Sequence, residues 1–245
     1  MKKKQRLYEK YIKRILDVCC AVAALLVFWW LYLVIAILVR VNLGSPVLFK
    51  QPRPGKDEKI FTMYKFRTMT DARDENGDLL ADEIRLTKFG KWLRGTSLDE
   101  LPEVINILNG TMSVIGPRPQ LVRDMTFMTP QQRMRHSVRP GLSGLAQTRG
   151  RNALAWDKKL ETDLEYIQDI TFWGDVKIIV NTVRQVFFRE KGHADTDLDE
   201  VDITDDYCDY LLKRGMVTRE VYDRKKAEAR ELLEAQNGNT RVEVL

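Results

Sequence analysis

The chain has 245 residues, 44% of them hydrophobic and 31% charged, a balance that excludes a disordered polymer and leaves room for one substantial domain plus an appendage. Its net charge of +5 is unevenly spread: residues 193–245 hold 14 acidic against 8 basic side chains, which leaves +11 on residues 1–192 and suits that body to a phosphate-rich partner. Only His136 and His193 are histidines, and Cys19, Cys20 and Cys208 form no CxxC pair, which speaks against a His-based metal centre, a Ser-His-Asp triad, a structural zinc site and a disulfide framework.

The first element is an apolar run. Val18 to Val39 contains 22 residues without a charge, about 33 Å as a helix against a hydrocarbon core of roughly 30 Å. It predicts membrane insertion. The run is too long for a cleaved signal peptide and leads into Arg40-Val41-Asn42, not into a small-residue cleavage site. Both flanks are basic, with Lys10, Lys13 and Arg14 before it and Arg40, Lys50 and Arg53 after it. The positive-inside rule therefore places both flanks in the cytosol. A segment that enters and returns satisfies this, whereas a straight crossing does not, yet no Pro or Gly is present to bend the run.

Leu43 to Arg53 reads as a turn leading into an extended piece, because Gly44, Pro46 and Pro52 deny it a helix. Ile60 to Met69 is rich in aromatic and β-branched residues and predicts a strand or hairpin arm. Asp71 to Gly77 is a polar loop whose spacing fails the calcium-loop pattern. A helix is expected over Leu101–Leu108, stopped by Asn109-Gly110, and another over Asp157–Ile170. Asp175 to Phe188 places Val176, Ile179, Val180, Val183 and Phe187 on one face, either core or a face laid on anionic lipid, with Phe172 and Trp173 at its start favouring the interface. In the acidic tail, Thr204 and Thr218 can cap two helices that end at Gly215 and at Asn237-Gly238.

Chemistry concentrates at Ser97-Leu98-Asp99-Glu100-Leu101-Pro102. Ser97 and Glu100 have capping-box spacing, but Pro102 favours a first helical position and would clash with a helix already running. The helix is thus expected to begin near Pro102, with Asp99 and Glu100 at its N-terminus, where a carboxylate can attack phosphorus. Arg94, Arg118, Arg139, Arg149 and Arg151 lie in turns near Gly or Pro, where guanidinium forks are suited to phosphate. Arg118, between two prolines, is the least like surface filler.

These strings resemble the short, monotopic bacterial sugar transferases, the phosphoglycosyl transferases of glycoconjugate assembly. The resemblance rests on Ser45-Pro46-Val47 with Phe49, Gln51, Arg53 and Gly55; on Lys65-Phe66-Arg67-Thr68-Met69; and on Thr87 with Gly90, Leu93 and Arg94. It continues through Ser97 to Pro102, Asn106, Gly110 to Ser113 and Gly116-Pro117-Arg118-Pro119, and ends with Arg139 to Gly144, Ala146-Gln147, Gly150-Arg151-Asn152 and Trp156. It implies a mainly α fold with a small β element, a membrane-inserted, re-entrant N-terminal helix and a catalytic domain on the cytosolic face of the inner membrane. It also implies Mg²⁺, a UDP-sugar donor and an undecaprenyl phosphate acceptor. By motif position Asp99 is the nucleophile and a metal contact, with Glu100 its catalytic partner. Arg94 and Arg118 hold phosphate, Lys65 and Arg67 contribute to substrate binding, and Arg151 and Asp175 shape the nucleotide-sugar pocket. The sequences most similar in length and loops act on UDP-N,N′-diacetylbacillosamine.

The expected divisions are residues 1–42 for the basic N-terminus and membrane helix, 43–192 for the catalytic domain and 193–245 for an acidic helical extension. No motif lies beyond Gly192, so the extension is expected to be dispensable for chemistry. Trp29-Trp30 stands where the family usually carries a helix-breaking Ser-Pro pair. Asp195-Thr196-Asp197 offers the metal signature of a conventional glycosyltransferase, but without a preceding βαβ pattern. A non-enzymatic membrane adaptor would not need Arg118 between prolines. Nothing beyond charge supports nucleic-acid binding, and a homo-oligomer is left open.

Overall fold

The computed structural model describes residues 7–150, 154–188 and 206–237. The chain is mainly helical, with two small sheets. A π-helical turn, Tyr8–Ile12, leads into α1 (Lys13–Leu43), followed by β1 (Leu48–Pro54), β2 (Ile60–Phe66), α2 (Asp82–Arg85), α3 (Lys88–Gly95), α4 (Glu103–Leu108) and β3 (Ser113–Ile115). Then come α5 (Val122–Phe127), α6 (Pro130–Arg133), β4 (Gly141–Ser143), α7 (Leu145–Gly150), α8 (Trp156–Gln168), α9 (Phe172–Phe188), α10 (Tyr207–Lys213) and α11 (Arg219–Asn237). Two compact units divide the chain. One is Leu16–Gln51 with Thr62–Gly110; the other holds the chain up to Ile15, Pro52–Phe61 and everything from Thr111 onward.

In the first unit, α1 is one continuous helix through Trp29-Trp30, both of them exposed. Its 31 residues span about 46 Å, longer than a bilayer core. Gly44 ends it at φ +82°, its N–H donating to the Arg40 carbonyl at 3.2 Å. Most of α1 is exposed apolar surface, as a lipid-facing helix requires. Its last turns differ: Ile35, Val39 and Leu43 bury themselves against Phe66 and Leu93, with Leu98 and Leu101 packed alongside. Thr87 caps α3 by accepting from the Gly90 N–H at 3.1 Å. A Cβ on Gly90 would lie 1.9 Å from the Thr68 carbonyl oxygen, so only glycine lets α3 approach that chain so closely. The expected strand over Ile60–Met69 is the hairpin arm β2. The polar loop after it is tied by Asp74, whose Oδ1 accepts from the Asn76 and Asp78 N–H groups at 2.9 Å each.

In the second unit, β3 and β4 pair in parallel, Ser113 opposite Gly141 and Ile115 opposite Ser143. A Cβ on Gly141 would sit 2.1 Å from the Gly116 nitrogen, which makes glycine obligatory there. Ile115, Tyr166, Ile167, Ile170 and Ile178 form one core cluster, and Tyr8 packs on it. In α9 the core side carries Asp175 and Ile178, while Phe172, Trp173, Ile179, Val180 and Val183 are exposed, Trp173 at 76%. The predicted apolar stripe is therefore not core, which leaves the interfacial alternative; the side chain of Phe187 lies outside the described residues.

The tail helices are not a loose appendage. Tyr207, Cys208, Tyr210, Leu211 and Tyr222 share a buried cluster with Phe127, Met128, Trp156 and Leu160, and Ala229 and Leu233 pack on Val122 and Met125. α10 starts after Asp206, Thr204 lying outside the described residues, and it stops at Gly215 with φ +66°. Thr218 caps α11 as expected, accepting from the Val221 N–H at 3.3 Å.

Candidate active site

The site is built where a strand, a turn and a helix converge in the first unit. Ser97 stands at φ +57°, a left-handed conformation that costs a non-glycine residue about 1 kcal/mol or more and that clusters at functional sites. Its side chain makes no capping bond, so the capping box that its spacing to Glu100 would allow does not form. The left-handed step instead reverses the chain into a single 3₁₀ turn, Leu98–Glu100, and Pro102 then holds the position just before α4. Proline chemistry thus places the helix start as expected, with both carboxylates immediately ahead of it.

Three anchors fix this turn. Tyr32 of α1 donates its hydroxyl proton to the Leu101 carbonyl at 3.1 Å. Asn106 of α4 accepts from the Tyr64 N–H at 3.1 Å and donates to the Thr62 carbonyl at 2.7 Å, tying α4 to β2. Lys65, the next residue of β2, places its ammonium 2.7 Å from Glu100 Oε1 and 3.3 Å from Glu103 Oε1. Asp99 is buried, and burial pushes its carboxyl above the usual range. Lys65 acts against that shift, Glu100 adds to it, and Arg94 and the Asp99 N–H oppose it. The result is a buried carboxyl whose burial is offset in part by two cations, Lys65 and Arg94. Arg94 lies exposed on α3, its Nε donating to Thr68 Oγ1 at 2.9 Å.

Asp99 and Glu100 are hard oxygen donors of the kind that hold Mg²⁺. No group of three or more His, Cys, Asp or Glu side chains gathers as a metal cage among the described residues.

The sequence-predicted residues divide. Lys65, Arg94, Asp99 and Glu100 come together. Arg67 lies two residues from Lys65 but is committed elsewhere. Its Nε and Nη1 donate to the Met69 and Ser45 carbonyls at 2.9 and 2.7 Å, and Nη2 meets Asp71 at 2.5 Å. All three guanidinium nitrogens have protein partners, so Arg67 staples the chain after β2. Arg118 belongs to the second unit, in the loop after β3. Asp175, also there, is a buried acceptor for three side chains: Tyr8 (2.7 Å), Lys13 (2.6 Å) and Tyr166 (2.9 Å). Its carboxylate latches the N-terminal flank of α1 to α8 and α9. Arg151 lies outside the described residues. Sequence reading missed Tyr32, hidden in an apolar run, and Glu103, whose acidic side chain in the first turn of α4 reads as helix-dipole complement.

Residues 8–189 match the model of the family described as bacterial sugar transferase. The chain belongs to that family and is an enzyme. It is 48% identical over 179 residues to the uncharacterized sugar transferase EpsL of Bacillus subtilis, covering 73% of this chain and 89% of that protein. It is 40% identical over 184 residues to the UDP-N-acetylgalactosamine-undecaprenyl-phosphate N-acetylgalactosaminephosphotransferase of Aeromonas hydrophila, over 72% of this chain and 44% of that one. The UDP-glucose:undecaprenyl-phosphate glucose-1-phosphate transferase of Klebsiella pneumoniae is 38% identical over 191 residues, 74% of this chain and 41% of its own. The chain thus spans less than half the length of the last two relatives.

Proposed function

We propose that the enzyme moves a sugar 1-phosphate from a UDP-sugar to undecaprenyl phosphate in two displacements, through a covalent intermediate on Asp99. The observation that carries this reading is the buried Asp99 turn, flanked by Lys65 and Arg94 and fixed to the apolar helix by Tyr32. In the first step an Asp99 carboxylate oxygen attacks the sugar-bearing phosphorus of the donor, the bridging P–O bond breaks, and UMP leaves. In the second, an oxygen of the lipid phosphate attacks the same phosphorus and restores the carboxylate. Glu100, held by Lys65, serves the proton and charge changes between them. Mg²⁺, held by Asp99 with diphosphate oxygens, would supply charge neutralisation. Lys65 and Arg94 lower the repulsion between carboxylate and diphosphate, and Arg118 and Arg151 serve as phosphate and nucleotide contacts.

The resemblance points to N,N′-diacetylbacillosamine as the sugar, whereas the relatives' names give N-acetylgalactosamine and glucose; a UDP-sugar panel scored for UMP release decides among them. Location at the cytosolic face of the inner membrane is what the resemblance implies, and basic residues on both flanks of an exposed apolar helix support it.

The test is mass spectrometry of the acid-quenched enzyme mixed with donor alone. The Asp99 peptide is expected to gain one sugar phosphate, the gain is expected to vanish in Asp99→Asn, and excess EDTA is expected to stop turnover. An unmodified peptide, together with intersecting initial-rate lines, would establish direct transfer in a ternary complex instead.

A further inference from the structure

Arg118 stands between Pro117 and Pro119, and three main-chain groups of its loop are held from outside it. The Gly116 N–H donates to the Ser143 carbonyl at 2.9 Å, and the Gly141 N–H donates to the Pro117 carbonyl at 3.0 Å. The carbonyl of Arg118 itself accepts from Arg135 Nη2 at 2.6 Å. This third tie differs in kind, because it comes from a side chain only 2% exposed. The same guanidinium donates from Nε at 3.0 Å and from Nη2 at 2.6 Å to Asp163 Oδ2 on α8, a residue 3% exposed.

An ion pair this deep is costly to desolvate, and apolar residues of similar volume commonly stabilise a fold as well or better. Stability therefore does not account for it. What the pair supplies is a donor for the Arg118 carbonyl, locked in direction by Asp163. Nearby charge shows why a lock is needed. Lys159 lies one turn before Asp163 on α8, its ammonium 4.8 Å from the Trp156 ring centre. Burial first, and Arg118 second, hold that ammonium below its ordinary range. Arg118 and Lys159 thus repel each other, and a loop free to hinge would let Arg118 swing away.

We infer that Arg135 and Asp163 are positioning residues for the transfer reaction: together they clamp the Arg118 main chain so that its guanidinium stays in place for a diphosphate oxygen. This rests on the proposed reading, in which Arg118 binds phosphate. Neither residue touches substrate; both act through Arg118.

The experiment is a double-mutant cycle on the full chain in lipid nanodiscs, reading the affinity for UDP in the presence of Mg²⁺. Arg135→Lys keeps the charge but cannot serve Asp163 and the Arg118 carbonyl through one rigid fork. It is expected to weaken UDP about tenfold, the scale on which small misplacements act. In an Arg118→Ala background the same change is expected to cost nothing further, because the residue it acts through is gone. Should Arg135→Lys fail to fold, Arg135→Gln combined with Asp163→Asn removes both charges together and leaves neither one buried alone; the same non-additivity is expected. Equal losses in both backgrounds would show a general structural role and overturn the clamp. So would unchanged UDP binding in the folded single variant, or in Arg118→Ala. Failure of the transfer reading is separate: it would show as wild-type enzyme that binds UDP yet passes no sugar phosphate to polyprenyl phosphate.

Discussion

Asn106→Leu strikes the joint between strand and helix that sets the site. Asn106 is 2% exposed and spans β2 with two hydrogen bonds, accepting from the Tyr64 N–H and donating to the Thr62 carbonyl. Leucine has the same number of side-chain heavy atoms and branches at the same atom, and its methyl groups are bulkier than the amide, so no cavity opens. The loss is instead two main-chain groups left without that partner, each costing about 1–3 kcal/mol. Their sum, about 2–6 kcal/mol, lowers the unfolding midpoint by roughly 5–20 °C in a chain of this size. Lys65 follows Tyr64 directly, so turnover measured well below the new midpoint is also expected to fall as the ammonium shifts from Glu100. Asn106→Asp separates the two bonds. One oxygen still accepts from Tyr64, but the other faces the Thr62 carbonyl and needs a proton. Its folded-state pKa is therefore raised above the unfolded value near 3.9. The folded state then retains the proton longer than the unfolded one, so the deficit is smallest at low pH and grows as pH rises through the raised value. An Asn106→Leu enzyme with a midpoint within about 2 °C of wild type and normal turnover would refute this account of how β2 and α4 are joined.

Truncation after Gly192 is expected to cost far more than a dispensable tail would. It strips buried Tyr207, Tyr210, Leu211 and Tyr222 from Phe127, Trp156 and Leu160, and Leu233 from Val122 and Met125, each worth about 1.5–3 kcal/mol; a folded truncate melting with wild type would contradict this. Asp124, buried in α5, has its carboxyl raised from 3.8 to about 6 by burial first and by Asp206 second. The folded state holds the extra proton, so its contribution to stability declines from about pH 4 to pH 6. The stability difference between wild type and Asp124→Asn is expected to fall across that window in chemical denaturation, and a flat difference would remove Asp124 as the cause. Lys10→Cys and Lys50→Cys, each with Cys19 and Cys20 replaced by Ser, are expected to resist a membrane-impermeant thiol reagent in intact cells; labelling at Lys10→Cys alone would mean a helix that crosses.

What could be read from the sequence was whatever one stretch of chain decides for itself. The apolar run, the start of α4 at Pro102 and the Thr218 cap are local facts of side-chain chemistry, and the structure agrees with each. The left-handed Ser97 was not legible, because a capping spacing does not reveal the sign of φ. Long-range partners are equally hidden in a single stretch: Tyr8, which donates to Asp175, lies 167 positions from it. The tail was underrated for another reason. Its acidic start draws attention from Tyr222, Ala229 and Leu233, whose spacings of seven and four residues mark a packed helical face.

The bond from Tyr32 to the Leu101 carbonyl makes α1 a depth gauge. Each residue of helix is about 1.5 Å along its axis, so the reach from the Leu98–Glu100 turn to the free apolar stretch of α1 is fixed by where Tyr32 sits on the helix. Were Asp99 the nucleophile of the proposed transfer, a lipid-borne acceptor searching in two dimensions would meet it only at the level that reach sets, and a lipid that changes how α1 is accommodated would move that level without touching the carboxylate.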